Sequence, residues 1–166
     1  ELTRCCIPLL KKSSQAKIIN IGSVSGLFST PFMGPYSASK YAVEALSDAF
    51  RRELKKFGIK VVLIEPGPIS TPIWEKSINA APQVQFPETV THYEPELSRF
   101  RKLIEEESKK AIPVEKLAEL IFKVTQSKTP KARYMINGNK LMLRALPFFP
   151  EHWIDKALES GTKLRR

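Results

Sequence analysis

Residues 17–67 read KIINIGSVSGLFSTPFMGPYSASKYAVEALSDAFRRELKKFGIKVVLIEPG, and the division of this stretch decides the fold. Lys17 to Gly22 contain the isoleucine-rich run IINI, which fits a strand buried on both faces, as in a parallel sheet. Residues 23–35 collect Gly26, Pro31, Gly34 and Pro35 and form a loop, with Pro35 suited to a helix start. A long helix follows from Pro35 to Phe57 and stops at Gly58, a favourable C-terminal glycine. Ile59 to Glu65 form a second unbroken apolar strand. Strand, helix, strand is a βαβ unit with parallel strands and a right-handed crossover. Both strands end in suggestive residues, Ser23 after the first and Pro66-Gly67 after the second. In open α/β sheets the ligand crevice lies at these carboxyl ends.

At about 100° per residue the long helix has three faces. Val43, Leu46, Phe50, Leu54 and Phe57 make a bulky stripe. Ala38, Ala42, Ala45 and Ala49 make a small one. Glu44, Asp48, Arg51, Arg52 and Lys55 fill the remainder. Two apolar stripes give the helix two things to pack on: the sheet, and a second helix or a second subunit. The expectation is a homodimer or homotetramer formed through the 35–57 helix.

Outward from this unit the signals weaken. Residues 1–12 look like the last turns of a helix, with Pro8 bending or ending it. Residues 68–95 are irregular and proline-rich, with a short helix near Pro72 to Asn79, and such a long loop suits a lid or binding segment. Helices are expected over 96–110 and from Pro113 to Gln126, then a short strand at 132–136 and a short helix near His152 to Leu158. The chain therefore divides into a core, 1–71, and a substrate-binding and C-terminal segment, 72–166.

The composition fits one folded domain: 166 residues, 42% hydrophobic and 27% charged, with no run long enough for a membrane span. The net charge of +10 raises nucleic acid or an anionic membrane as partners. The basic residues are scattered over amphipathic helices, without a zinc-finger spacing or a basic arm, which argues against nucleic acid. The tail LMLRALPFFPEHWI could touch a membrane, but its length favours packing over the site. Cys5 and Cys6 are adjacent, make no metal or disulfide framework, and suit a reducing compartment, cytoplasmic or membrane-associated.

Tyr36 and Lys40 stand four residues apart and share one helix face. A phenol is a poor base at neutral pH, and an ammonium held close by favours the phenolate form. The pair is then a workable general acid or base. Ser23 lies at the same sheet edge, where its hydroxyl could hold a carbonyl or alcohol oxygen against Tyr36. A Y-x-x-x-K pair alone is weak evidence. The joint context is specific: a buried strand with serine at its end, a glycine-rich loop, tyrosine at a helix start, lysine one turn on, and a strand ending in Pro-Gly.

The runs N-I-G-S-V-S-G, Y-S-A-S-K and P-G-P-I-S-T resemble the C-terminal, catalytic half of a short-chain dehydrogenase/reductase, over residues 1 to about 75. The resemblance implies that Ser23 orients the substrate oxygen, Tyr36 transfers the proton, and Lys40 holds the nicotinamide ribose. It also implies that Pro66, Gly67, Ile69 and Thr71 pass the nicotinamide of NAD or NADP. Gly22 stands where the family's first motif serine would be, and Asn20 reads as a structural hydrogen-bonder. The implied fold is α/β: the C-terminal half of a Rossmann-type doubly wound parallel sheet, with the first half missing. No G-x-G-x-x-G occurs in the chain, so residues 1–166 alone are expected to be inactive. A-S-K-Y-A-V-E-A-L-S-D and the segment after P-I-W resemble retinol and hydroxysteroid dehydrogenases. This implies a small lipophilic alcohol or carbonyl substrate, with Phe32, Met33, Ile73, Trp74 and Phe86 as candidate pocket residues.

Overall fold

The computed structural model describes residues 1–73 and 93–162. Helix α1 (Leu2–Leu10) leads to strand β1 (Lys17–Ile21), a 3-10 turn at Val24–Gly26, and helix α2 (Gly34–Glu53), which a further 3-10 turn carries to Phe57. Strand β2 (Lys60–Pro66) and the two-residue β3 (Ile69–Ser70) follow. After the undescribed segment come α3 (Glu94–Lys109), β4 (Ile112–Pro113), α4 (Val114–Gln126), β5 (Arg133–Ile136), α5 (Lys140–Ala145) and α6 (Glu151–Thr162). The short helix expected from Pro72 to Asn79 falls largely outside the described residues.

The expected parallel α/β architecture is present. The main sheet has the order β1-β2-β5, and every pairing in it is parallel. Lys17 sits opposite Lys60 and Ile21 opposite Ile64, so β1 and β2 finish at the same edge. The crossover between them is α2, which packs on β2, on β1 and on the 3-10 turn at Val24–Gly26. β2 is the central strand, and Val61 to Pro66 are all buried. The expectation of two fully buried strands holds for β2 and not for β1. Among the described residues β1 is hydrogen-bonded on one side only, and Ile21 is 40% exposed.

Local chemistry explains the boundaries of α2. Pro35 sits in its first turn, where a missing N–H costs nothing. Gly58 ends the 3-10 extension with φ +71, the left-handed conformation that glycine adopts without strain. A side chain added there would meet open space, so the substitution probes backbone strain alone. Gly58→Ala is expected to lower unfolding stability by about 1–2 kcal/mol, as measured by urea denaturation. Pro8 lies inside α1 and does not end it: the helix continues to Leu10, with Lys11 N–H donating to Ile7 O.

The faces of α2 differ from the wheel reading. The residues turned to the protein are Ser37, Glu44, Ser47 and Leu54, with Lys40, Asp48 and Phe50 half-buried. Ala38, Ala42, Ala45 and Leu46 are exposed. The buried face is polar because polar partners wait beneath it. Asn20 Nδ2 donates to Ser47 Oγ at 2.9 Å, and Ser47 donates in turn to Val43 O at 2.6 Å. Asn20 is thus a structural hydrogen-bonder that ties β1 to the helix. At the opposite end of the sheet from the site, Ala16, Leu54, Ile59 and Val61 form an apolar core with Ile7, Leu10, Ile18 and Phe50 packed around it.

The pair β3–β4 was not expected. Its two rungs, Ile69 with Ile112 and Ser70 with Pro113, are too short to leave a periodic signal. Helix α5 was also not expected, while α6 begins one residue before and ends four after the span read from sequence.

Candidate active site

Three sheet-end elements bring the candidate residues together. Ser23 leaves β1 in extended conformation and caps the 3-10 turn, where its Oγ accepts from Ser25 N–H at 3.1 Å. It is buried, and its own O–H remains available to donate. Tyr36 lies in the first turn of α2 and is 39% exposed, so its ring opens toward solvent. Lys40 follows one turn later. Its Nζ lies 5.7 Å from the centre of the Tyr36 ring and donates to Ile21 O at 3.4 Å. That bond anchors the ammonium to the end of β1, next to Ser23. A lysine has three N–H donors, so two remain for hydroxyl groups such as those of a ribose. This donor set fits a dinucleotide held along α2.

The end of β2 supplies the opposite wall. Pro66 is buried, and Gly67 N–H donates to Ile136 O at 2.8 Å. A Cβ on Gly67 would fall 1.8 Å from Asn137 O, so only glycine fits between the strands here. Ile69 lies in β3 and Thr71 just beyond it, both half-buried.

A cavity of about 590 Å³ opens at the carboxyl ends of β1, β2 and β5. Val24, Phe28, Pro68, Asn137 and Leu143 are among its walls, with Glu107 and Lys110 at one side. Asn137 shapes it: φ is +55, and Nδ2 donates to Pro68 O at 2.7 Å and to Lys110 O at 3.1 Å. The sequence reading missed these residues. The N-G-N run at the end of β5 was the available signal. The pocket candidates lie elsewhere. Phe32 packs on Phe100 and Tyr93, with ring centres 5.5 and 6.4 Å apart. Met33 is half-buried at the N-cap of α2, and Ile73 is exposed. None of the three lines the cavity, and Trp74 and Phe86 lie outside the described residues.

Beneath the site runs a cluster of charges. Arg133, at the start of β5, binds Glu44 and, at 2.9 Å, Glu65 through Nη1, and Asp48 at 3.1 Å through Nη2. Arg144 of α5 reaches Glu65 at 3.9 Å. Glu65 is completely buried and Glu44 nearly so. Burial pushes the Glu44 carboxyl above the usual range despite Arg133. For Asp48 burial acts in the same direction, but Arg133 and Arg51 outweigh it and hold the carboxyl low. Burial opposes the charge of Arg133, yet its bonds to Glu44 and Glu65 prevail and raise its pKa.

The fold thus places Ser23 at the end of β1 and Tyr36 and Lys40 on the first turns of α2, at the carboxyl edge of the parallel sheet. Residues 1–82 match the family model described as short chain dehydrogenase. The chain is 42% identical over 150 residues to an NADPH-dependent 3-dehydrocapnine reductase of Ornithobacterium rhinotracheale, covering 90% of this chain and 52% of that protein. It is 30% identical over 160 residues to a 3-ketodihydrosphingosine reductase of Bacteroides thetaiotaomicron, covering 95% and 58%. The crystal structure of a short-chain dehydrogenase from Streptomyces avermitilis superposes with a TM-score of 0.67 at 22% identity, over 98% of this chain and 56% of that one. The chain thus spans about half the length of the curated relatives it matches.

Proposed function

We propose that the chain is the catalytic half of an NAD(P)-dependent oxidoreductase that interconverts an alcohol and a ketone or aldehyde on a lipophilic substrate. The observation that carries this reading is the placement of Lys40 Nζ 5.7 Å from the Tyr36 ring and on the carbonyl of Ile21, beside Ser23. The bound nicotinamide supplies or accepts the hydride. Ser23 donates its hydroxyl to the substrate oxygen and holds it against Tyr36. In the reducing direction the Tyr36 phenol gives its proton to that oxygen, and the Lys40 ammonium stabilises the phenolate left behind. Lys40 also holds the ribose hydroxyls. Pro66, Gly67, Ile69 and Thr71 form the wall along the nicotinamide.

The cavity at the strand ends, whose wall residue Val24 follows Ser23 in the chain, takes the apolar part of the substrate; Ser23, Tyr36 and Lys40 stand outside its lining. Val24, Phe28 and Leu143 among its walls suit an apolar chain. Retinoid- and steroid-like alcohols or carbonyls belong to this class. The two relatives, named as a 3-dehydrocapnine reductase and a 3-ketodihydrosphingosine reductase, favour ketone reduction on a different lipophilic skeleton. The exposed Ala38, Ala42, Ala45 and Leu46 of α2 make that face the contact with a second copy, which sedimentation analysis of the full-length protein measures.

Residues 1–166 alone are expected to give no NAD(P)H-linked turnover, and joining them to a dinucleotide-binding half is expected to restore it. The check is nicotinamide absorbance with a 3-keto lipid as substrate. Robust turnover by the 166-residue chain alone would contradict the half-enzyme reading. The second reading is a non-catalytic fragment that dimerises through α2. It rests on the same exposed stripe and predicts a dimer without activity in either form.

A further inference from the structure

We propose that Arg133 and its three carboxylates form a clamp that positions Ser23, Tyr36 and Lys40 relative to one another, which makes Arg133, Glu44 and Glu65 positioning residues for the reaction. The inference rests on the assignment of those three residues as the reacting group.

Each arm of the cluster ends beside a different piece of the site. Glu44 stands one turn after Lys40 on the same buried face of α2. It is also the contact between α2 and the loop that carries Ser23. A Cβ added to Gly22 would lie 3.3 Å from Glu44 Oε1, and one added to Gly26 would lie 3.0 Å from Glu44 Cγ and from Lys40 O. The Ser23 turn is therefore seated directly on Glu44 and Lys40, with glycine on either side to allow the approach. Glu65 immediately precedes Pro66-Gly67 and is fully buried. Arg133 opens β5, the strand whose other end, Ile136, accepts the Gly67 N–H. One guanidinium thus joins the catalytic helix to β2 and β5 below the site.

Chemistry favours arginine for this work. Its planar fork presents donors in fixed directions, so it sets the angle as well as the distance between carboxylates. A lysine would neutralise charge without fixing geometry. The apolar core lies at the other end of the sheet, around Ala16 and Leu54. At the catalytic end the inward face of α2 is Ser37 and Glu44, both buried, with Lys40 half-buried between them, so ion pairing sets the height of the helix there. Displacement of about 1 Å at a reacting group can cost on the order of a hundredfold in rate. None of the clamp residues lines the cavity, so their loss falls on kcat rather than on substrate binding.

The test uses the full-length enzyme. The variant E44Q/E65Q/R133M replaces the buried part of the cluster by neutral side chains of similar size and leaves Asp48 paired with Arg51 and Arg52. A buried network tolerates such a replacement better than loss of a single partner. The expected result is folded protein whose kcat is lower by about tenfold to a hundredfold, with substrate KM within about threefold of wild type. In R133A, methylguanidinium added to the assay is expected to recover kcat, and methylammonium is not, because only the former restores the forked contact. A folded triple variant with kcat within about threefold of wild type overturns the clamp. So does equal rescue by both cations. Y36F measured in parallel separates the two ideas. If Y36F is inactive while the triple variant turns over normally, the clamp alone fails. If Y36F is as active as wild type, the assignment of the reacting group fails, and the clamp with it.

Discussion

Replacing Tyr36 by phenylalanine is expected to lower kcat of the full-length enzyme by about 10²- to 10⁴-fold, the usual worth of a positioned proton donor. The substitution removes one oxygen and leaves the ring. The ring is 39% exposed at the first turn of α2, so no buried group is stranded. Unfolding stability is expected to stay within about 0.5 kcal/mol. KM should change little, because the phenol acts on charge that develops at the substrate oxygen during reaction. Steady-state kinetics together with urea denaturation checks both halves of the prediction. A kcat near wild type would remove Tyr36 from the chemistry.

Gly67→Ala is expected to be more damaging than the same change at Gly22, Gly26, Gly34, Gly58 or Gly138. The new Cβ would fall 1.8 Å from Asn137 O and 2.8 Å from Asn137 C. Both atoms belong to the backbone, so no rotamer change relieves the overlap. The end of β5 must move away from β2, which breaks the 2.8 Å bond from Gly67 N–H to Ile136 O. Asn137 would shift with it and loosen its bonds to Pro68 O and Lys110 O, which shape the cavity. Overpacking typically costs about 1–3 kcal/mol when side chains can adjust. With backbone on the other side, a loss of about 3 kcal/mol or more is expected, measured by urea denaturation. A loss below about 1 kcal/mol would show that the β2–β5 contact gives way easily.

The parts of the fold set by local chemistry were legible in the sequence. Pro35 and Gly58 marked the ends of the long helix because one tolerates a missing N–H and the other a positive φ. The isoleucine and valine runs marked β1 and β2. The unit around Tyr36 and Lys40 could be read because helical spacing alone places them on one face. What escaped depends on partners far away in the chain. The wheel placed Glu44 with Asp48, Arg51, Arg52 and Lys55 on the remaining face, since nothing in residues 34–57 reveals that Arg133, 89 residues later, lies beneath it. Of the alanine stripe, Ala38, Ala42 and Ala45 are exposed and Ala49 is half-buried, so within the chain that face does not pack on the sheet. β3 and β4 have two residues each, too few for any period. The cavity walls come from the turn after β1, the segment after Gly67, α3 and the β5–α5 connection, and only the folded chain brings these together.

The central claim is that this chain supplies the proton and the geometry for hydride transfer to a carbonyl. Its most direct test is a single turnover of the full-length enzyme with deuterium-labelled NADPH or NADH and a 3-keto lipid, with the product identified by mass spectrometry. The expected result is one alcohol per cofactor oxidised, carrying one deuterium on carbon from the cofactor and an exchangeable proton on oxygen, formed about 10²- to 10⁴-fold more slowly by Y36F. Cofactor consumption without labelled alcohol, or product formed equally fast by Y36F, would contradict the account.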